Sequence, residues 1–164
     1  MTCINARFVR RLGRLGLIAS FCLTALATTS SQAQDAPQRL RSIPLQAGIH
    51  VIDAELALTP EQRQIGLMHR RDMPANHGML FVFTERRAHC MWMKNTLLPL
   101  SVAFLDEQGR ILNIEDMKPQ TEDNHCAAKP ATFALEMNQG WFRQKGIAPG
   151  ARIGGVEALA GRAL

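Results

Sequence analysis

The chain has 164 residues, of which 46% are hydrophobic and 20% are charged, and its formal net charge is +5. Four of the 19 basic residues and none of the 14 acidic ones lie in residues 1–33, so the remainder carries 15 basic against 14 acidic residues. Affinity for nucleic acid comes from clustered Lys and Arg side chains that neutralise phosphates. We therefore expect no nucleic-acid partner.

Residues 1–33 have the pattern of a secretory signal peptide. Four arginines precede an uncharged, mostly apolar run over residues 15–27, and Ser31-Gln32-Ala33 is a small-x-small cleavage site. The apolar run is shorter than the roughly 20 residues that a membrane-spanning helix needs. Bulky Phe21 before Cys22 argues against a lipid anchor. We expect cleavage after Ala33 and a periplasmic or secreted protein with no stable membrane anchor.

The expected mature chain has the length of one domain with a single core. The composition predicts a signal peptide over residues 1–33 and a polar N-terminal linker over residues 34–39. A single β-rich domain follows over residues 40–157. Residues 158–164 form a C-terminal tail that is expected to fray.

Short extended runs separated by turns predict a mainly β fold. The predicted strands, in chain order, are 40–45, 49–58, 79–83, 90–93, 100–104, 110–117, 132–137 and 152–156. Residues 79–83 and 90–93 are apolar on both faces, which is typical of strands that are covered on both sides. A helical turn over residues 139–145 would bury Trp141 and Phe142. We expect a compact single-domain β-sandwich or barrel of about eight short strands with one or two short helices.

The best-specified element is a helix that begins after Thr59. Thr59 is an N-cap, Pro60 suits the first helical position, and Gln62 completes a capping-box pattern. Ile65 and Met68 are spaced three residues apart, and we expect both to face the core.

A hairpin is predicted where residues 100–104 and residues 110–117 flank the loop Asp106-Glu107-Gln108-Gly109. The glycine of this loop suits a left-handed backbone conformation. Along the returning strand, we expect Leu112 and Ile114 to point inward.

Cys90 and Cys126 are the two cysteines that remain after removal of the signal. An even pair in a small exported domain predicts one disulfide, because the compartment is oxidising. Such a bond would close a loop of 36 residues.

A histidine precedes each cysteine, so a metal site is the alternative to the disulfide. His89 and His125 with the two thiols would suit zinc, and the nearby Met91 and Met93 would suit copper(I). Neighbouring residues on a strand point to opposite faces, so His89 and Cys90 cannot easily share one metal. We favour the disulfide and expect no cofactor, with a metal site and free thiols as the alternatives.

Lys94, Asn95 and Thr96 form a polar cluster at the end of an apolar strand. An ammonium, an amide and a hydroxyl together can orient an anionic or polar ligand. In the alternative interpretation, Asn95 and Thr96 bond the backbone of a turn while Lys94 is solvated. Arg70 and Glu136 are the candidates for a supporting role or for a long-range ion pair, either Arg–Glu or Lys–Glu.

Four sequence blocks carry a resemblance to a known family. They are Gly66-Leu67-Met68-His69-Arg70, Gly78-Met79-Leu80-Phe81-Val82-Phe83, Trp92-Met93-Lys94-Asn95-Thr96 and Ala134-Leu135-Glu136-Met137-Asn138-Gln139-Gly140. In this order and spacing they resemble the bacterial and archaeal family called domain of unknown function 192, over roughly residues 45–156. The resemblance implies a compact β-rich fold and frequent export, and it implies no established activity.

Two positions depart from the family pattern. Ser101 stands where the family usually has Asp, and Gly150-Ala151 stands where it often has Gly-Asp. A carboxylate at position 101 would also have been a plausible partner for Lys94.

The function expected from the sequence is that of a small exported binding or accessory module. Its partner would be a polar small molecule or an envelope protein that meets the Lys94 cluster. No recognisable catalytic motif is present, so catalysis is left open. The alternatives are a hydrolase or transferase of unrecognised mechanism that uses the same cluster, and a copper- or zinc-binding periplasmic protein.

Overall fold

The computed structural model describes residues 36–159, and the predicted export signal lies outside these residues. The described chain contains nine strands: β1 Ser42–Ala47, β2 His50–Ala57, β3 His77–Arg87, β4 Cys90–Met91, β5 Leu100–Leu105, β6 Ile111–Met117, β7 His125–Cys126, β8 Ala131–Asn138 and β9 Ile153–Gly154. The helices are α1 Pro60–Ile65, α2 Trp141–Gln144 and a 3₁₀ turn Glu157–Leu159. None of these helices has the length and hydropathy that crossing a membrane requires.

Seven strands form one curled sheet with the order β6-β5-β8-β3-β2-β1-β9, which makes a half-barrel. Its neighbours are antiparallel except β2 and β3, which are parallel and joined through α1. The two edges of the sheet meet at one end, where Ile153 N–H donates to Gly109 O at 2.8 Å and Ile111 N–H donates to Ala151 O at 2.9 Å. The prediction of a mainly β sandwich or barrel is confirmed.

Both faces of the sheet are covered by apolar side chains. The first core contains, among others, Leu45, Ile52, Leu80, Val82, Phe133, Leu135, Phe142 and Ile147. The second core contains, among others, Leu67, Met79, Phe81, Met93, Leu98, Leu100, Val102 and Phe104. Alternate residues of β3 enter opposite cores, so the prediction for residues 79–83 is confirmed. The prediction for residues 90–93 is wrong in extent and in coverage, because β4 ends at Met91, exposes Cys90 and belongs to a separate two-stranded sheet with β7.

The capping box predicted for α1 is present. Thr59 Oγ1 accepts a hydrogen bond from Gln62 N–H at 3.2 Å, and Gln62 Oε1 accepts one from Thr59 N–H at 3.1 Å. The helix ends at Gly66, whose φ of 50° is readily adopted only by glycine. A Cβ at this position would lie 3.2 Å from the ring of Phe81, so the glycine also permits close packing.

The expectation that Ile65 and Met68 face the core is wrong. Ile65 is 38% exposed, no residue of α1 is buried, and Met68 lies beyond the helix. Because Gly66 turns the chain, the helical spacing does not continue past it. Leu67 is the residue that enters the second core.

A disulfide joins Cys90 of β4 to Cys126 of β7, as the cysteine pair predicted. The two residues are direct partners in the antiparallel register, next to the pair Met91 and His125. A two-residue strand pair has too few hydrogen bonds to persist alone. The covalent bond therefore secures this small sheet just before residues 94–96, which we call the Lys94 segment.

Candidate functional site

The Lys94 segment leaves β4 and turns over the second core. Met93 is fully buried, and its N–H donates to Thr121 O at 3.0 Å, which fixes the direction of the chain. Lys94 and Asn95 are exposed, and Lys94 Nζ lies 5.2 Å from the centroid of the Trp92 ring. Thr96 is buried, and its hydroxyl donates to Lys94 O at 3.2 Å. Two of the three predicted residues thus face solvent, and Thr96 closes the turn beneath them.

The exposed part of this segment lines a surface cleft of about 290 Å³. We call it the Lys94 cleft, and its lining residues are His69, Lys94, Asn95, Leu97, Gln120 and Glu122. The non-glycine residues with positive φ among residues 36–159 are His69 (62°), Asn95 (54°) and Gln120 (59°). All of them line this one cleft.

Hydrogen bonds hold three separate segments together at the Lys94 cleft. His69 N–H donates to Asn95 O at 2.9 Å, and Gln120 N–H donates to Thr96 O at 3.0 Å. A left-handed backbone costs a non-glycine residue on the order of 1–2 kcal/mol. The surrounding fold therefore holds this cleft in a conformation that the local sequence does not favour.

A second depression of about 370 Å³ adjoins the cleft and shares His69 and Leu97 with it. It is also lined by Pro37, Arg39, Arg70, Arg71 and Asp72. Among residues 36–159, the cations Arg39, Arg71 and Lys94 form no salt bridge. Two carboxylates, Asp72 and Glu122, line the same two depressions. The cations therefore outnumber these carboxylates on the surface that the Lys94 cleft and the second depression form together.

Arg70 is committed to a buried ion pair with Glu55. Its Nη1 donates to Oε1 at 2.6 Å and its Nη2 to Oε2 at 2.7 Å, and Nη2 also donates to Gln38 O at 2.7 Å. Burial alone would raise the pKa of Glu55. The hydrogen bonds from Arg70 and from Leu40 N–H, together with the charges of Arg70 and Arg39, outweigh burial and lower that pKa below 4.5. Arg70 thus supports one wall of the second depression by joining β2 to the N-terminal segment.

Glu136 does not reach Arg70 or Lys94. It is 3% exposed, lies between Met79 and Val102 on the neighbouring strands, and forms no salt bridge or side-chain hydrogen bond among residues 36–159. Burial raises its pKa to about 8. Glu136 is therefore largely protonated at pH 7, and it lines neither depression.

Three of the residues proposed for the alternative metal site, His89 and the two cysteines, have other partners. His89 is buried, stacks on Phe83 with ring centroids 3.6 Å apart, and its Nε2 lies 2.7 Å from Glu85 O. Burial lowers the pKa of His89, with smaller contributions from nearby charges. Both cysteines are in the disulfide, and no group of metal-ligating side chains forms within the described part of the chain.

Ser101 occupies a different site from the Lys94 segment. Its hydroxyl donates to Asp116 Oδ1 and accepts a hydrogen bond from Gly140 N–H at 2.8 Å. It points toward the first core, whereas its neighbours Leu100 and Val102 point toward the second. The expectation that a carboxylate at position 101 would be a partner for Lys94 is therefore wrong, because the two positions lie in separate pockets.

Sequence reasoning missed four of the six residues that line the Lys94 cleft: His69, Leu97, Gln120 and Glu122. His69 lies inside a block that carried the family resemblance, three residues after the glycine that ends α1, and that position was the available signal. No sequence signal pointed to Gln120, because only its tertiary hydrogen bond to Thr96 places it in the cleft.

The geometry defines a small, mainly β domain whose candidate site is a surface cleft lined by three left-handed residues. The chain belongs to the DUF192 family, described as "Uncharacterized ACR", whose model matches residues 43–155. This confirms the family resemblance seen in the sequence.

Two solved structures share this fold. A candidate transcription regulator from Sinorhizobium meliloti 1021 is 38% identical with a TM-score of 0.65, and the match covers 71% of this chain and 96% of that one. A protein of unknown function from Novosphingobium aromaticivorans DSM 12444 is 31% identical with a TM-score of 0.67, covering 76% and 97%. No curated protein matches the chain.

Proposed function

We propose that this protein is an exported binding module that takes a small anionic ligand in the Lys94 cleft. The observation that carries the proposal is the convergence of three left-handed, non-glycine residues on the cleft that contains Lys94. Strained backbone held in place by the surrounding fold is concentrated at functional sites. A preformed cleft also loses little conformational freedom when a ligand binds.

The charges around the cleft favour an anion. Lys94 offers an ammonium and Asn95 an amide N–H₂ donor, while Arg39 and Arg71 extend the positive surface into the adjoining depression. Glu122 on the rim would disfavour a second negative group at that point. A compact anion, such as a phosphate or a small carboxylate, suits this arrangement.

Export is part of the same proposal. The N-terminal signal pattern supports it, and so does the Cys90–Cys126 bond, because disulfides persist in oxidising compartments. The Sinorhizobium protein's description would imply contact with nucleic acid. The near-balanced charge of residues 34–164 gives that function no support here.

The proposal does not extend to catalysis. The residues that line the Lys94 cleft include no hydroxyl or thiol, and the buried hydroxyl of Thr96 is used by the backbone. A hydrolase or transferase in this cleft would need a nucleophile or an activated water placed by a base. His69 and Glu122 could each act as a base there, but no hydroxyl or thiol nucleophile lies beside them among the lining residues.

The test is a titration of the folded protein with inorganic phosphate and with succinate at constant ionic strength, followed by thermal unfolding. A ligand at ten times its Kd adds about 1.4 kcal/mol to the free energy of unfolding. Lys94→Gln should remove this stabilisation, whereas Lys129→Gln, an exposed lysine between β7 and β8, should keep it. Equal responses in these two variants, or none in the unmodified protein, would refute the anion site.

Asn95→Gly separates a ligand contact from a turn residue. Glycine adopts the left-handed backbone of Asn95 without strain, so the free energy of unfolding should rise or stay unchanged. The loss of the amide should nevertheless weaken anion binding. Unchanged binding in Asn95→Gly would mean that Asn95 serves only the turn.

A further inference from the structure

A further pocket, of about 530 Å³ and separate from both depressions described above, lies where β5 and β6 meet α2 and the segment that follows it. It shares no lining residue with the Lys94 cleft. We call it the Asp116 pocket, and the residues that matter are Ser101, Ile114, Asp116, Phe142, Arg143 and Ile147. Its volume is within the range of small-molecule sites.

One carboxylate of this pocket is oriented from beneath by a buried hydroxyl. Ser101 is 1% exposed and directly opposite Asp116 in the register of β5 and β6. Its hydroxyl donates to Asp116 Oδ1 while Gly140 N–H donates to the hydroxyl oxygen at 2.8 Å. The pairing of the two strands and the Ser101 hydroxyl therefore fix the orientation of the Asp116 carboxylate, and its Oδ2 does not contact Ser101.

A guanidinium stands beside that carboxylate at the mouth of the pocket. Arg143 Nη1 lies 3.4 Å from Asp116 Oδ2, which is long for a charge-assisted hydrogen bond. Arg143 is 76% exposed, and its other N–H groups have no hydrogen-bond acceptor among residues 36–159. Most of its five donors are thus available to a ligand.

The rest of the pocket is mainly apolar. Phe142 and Ile147 are buried members of the first core that line the pocket, and Ile114 is half-buried on the same face of β6 as Asp116. Ala148 and Pro149 form an exposed apolar edge. One carboxylate and one guanidinium therefore meet at a single point of an apolar pocket.

We propose that the Asp116 pocket binds a free apolar α-amino acid, such as leucine or phenylalanine. The ligand's ammonium would bind Asp116, its carboxylate would bind Arg143, and its side chain would pack against Phe142 and Ile147. An α-amino acid carries its ammonium and its carboxylate on one carbon, and its side chain points away from both. This matches a pocket in which Asp116 and Arg143 lie 3.4 Å apart and the remaining lining is mainly apolar. This site is independent of the anion site proposed for the Lys94 cleft.

Charge balance favours a zwitterion over a simple amine or carboxylate. Asp116 and Arg143 lie side by side, so a ligand with one charge would meet a like charge as well as an opposite charge at the same point. A zwitterion supplies a partner to each and keeps the site neutral. The two charge-assisted contacts replace one long hydrogen bond.

The test is calorimetric titration of the folded protein with L-leucine and L-phenylalanine up to about 10 mM, which populates a millimolar site. Isoamylamine lacks the carboxylate, 4-methylvalerate lacks the ammonium, and glycine lacks the side chain. Each should bind at least about tenfold more weakly than leucine. Absence of leucine and phenylalanine binding, or an amine that binds as well as leucine, would overturn the proposal.

Variants locate the binding and control for charge. Asp116→Asn and Arg143→Gln should each weaken leucine binding by at least about tenfold. Ala148→Trp should block the pocket from its exposed edge without touching the buried core. Glu85→Gln and Arg87→Gln alter a matched surface pair with a 4.0 Å separation, and both should bind leucine normally. An unchanged affinity in Arg143→Gln would refute recognition of the ligand's carboxylate.

Discussion

At the scale of single residues, Glu136 is the most deeply buried acid among residues 36–159. It lies on β8 between Met79 and Val102, both members of the second core. Because burial favours the uncharged form, the pKa of Glu136 rises from 4.5 to about 8. The folded protein therefore binds a proton here at neutral pH that the unfolded chain does not.

Glu136→Gln should remove a component of the pH dependence of stability. Between pH 4.5 and about 8 the folded state holds the proton and the unfolded state does not, so this group lowers the free energy of unfolding as the pH rises. The free energy of unfolding should fall by up to about 1.4 kcal/mol for each pH unit in this range. Urea unfolding at about pH 5 and about pH 8 should show the variant close to the wild type at the lower pH and more stable at the higher one. Parallel pH curves for the two proteins would contradict this, and Glu107→Gln, an exposed loop position, is the control.

Arg70→Met should destabilise the fold at neutral pH. It leaves the half-buried Glu55 carboxylate without its guanidinium, and breaking a buried pair from one side costs on the order of 3–5 kcal/mol. The exposed neighbour Arg71→Met should change the free energy of unfolding by less than about 0.5 kcal/mol. Adding Glu55→Gln to the Arg70 variant should recover part of the loss, as measured by a double-mutant cycle in urea.

The Arg70–Glu55 pair also predicts sensitivity to acid. The pKa of Glu55 is below 4.5 in the folded state, so its stabilisation is present above pH 4.5 and is lost as the pH falls through the lowered value. The wild type should thus lose stability in acid more steeply than Arg70→Met. An equal acid dependence in both proteins would mean that the pair contributes no net stabilisation.

At the scale of elements, the small β4–β7 sheet depends on a covalent bond. Its two register pairs are Cys90 with Cys126 and Met91 with His125. Neither strand belongs to the seven-stranded sheet. The pair connects the chain on both sides of the Lys94 segment, so its integrity affects the Lys94 cleft more than the half-barrel.

The double variant Cys90→Ala/Cys126→Ala should lose about 4 kcal/mol of stability, as expected for opening a loop of 36 residues. Amide exchange should accelerate around β4, the Lys94 segment and β7, while the central strands β3, β5 and β8 keep their protection. The half-barrel does not include β4 or β7, which is the reason for this difference. Uniform acceleration across the described chain would contradict it.

The β5–β6 hairpin illustrates how a local irregularity places a site. A tight four-residue loop at Asp106–Gly109 would pair Ser101 with Ile114, but the observed register pairs Ser101 with Asp116. One residue of this shift arises at the loop, because Leu105 pairs with Ile111 and not with Arg110. The other arises at the irregularity between Phe104 and Leu105, which leaves Leu112 as an extra residue. Leu112 consequently packs against the second core and Ile114 against the first, although both were predicted to point inward together.

At the scale of the whole molecule, the half-barrel separates two candidate sites. The Lys94 cleft lies over the second core, and the Asp116 pocket is bounded by residues of the first core. The seven-stranded sheet lies between these two cores. Variants in one site are therefore expected to leave ligand binding at the other unchanged.

We propose that the functional form begins at Gln34. Intact-mass measurement of protein from the exported fraction of the producing cell should give the mass of residues 34–164, less two hydrogens for the disulfide. The basic region, apolar run and small-x-small site are the physical basis of this prediction. Recovery of the full chain, or of a species acylated at Cys22, would contradict it.

Part of the fold was predictable because it depends on short-range chemistry. Thr59, Pro60 and Gln62 specify the start of α1 through contacts within one turn. The two-sided apolar pattern of residues 79–83 predicted coverage on both faces, and the cysteine pair predicted the disulfide. In the candidate site, the sequence pointed to Lys94 and Asn95, and both line the cleft.

The rest depended on long-range contacts that no local pattern encodes. The partner of Arg70 is Glu55 on a strand 15 residues away, whereas Glu136 was an equally good candidate by charge alone. Left-handed backbone at His69 and Gln120 is stabilised by hydrogen bonds to the Lys94 segment, so it follows from tertiary contacts. Local composition determined the strands, the helix cap, the disulfide and the family, because these need only neighbouring residues or residue types. Tertiary structure decided which residues join Lys94 and Asn95 in the cleft and where the Asp116 pocket forms, because register, burial and the pairing of charges arise only when distant segments meet.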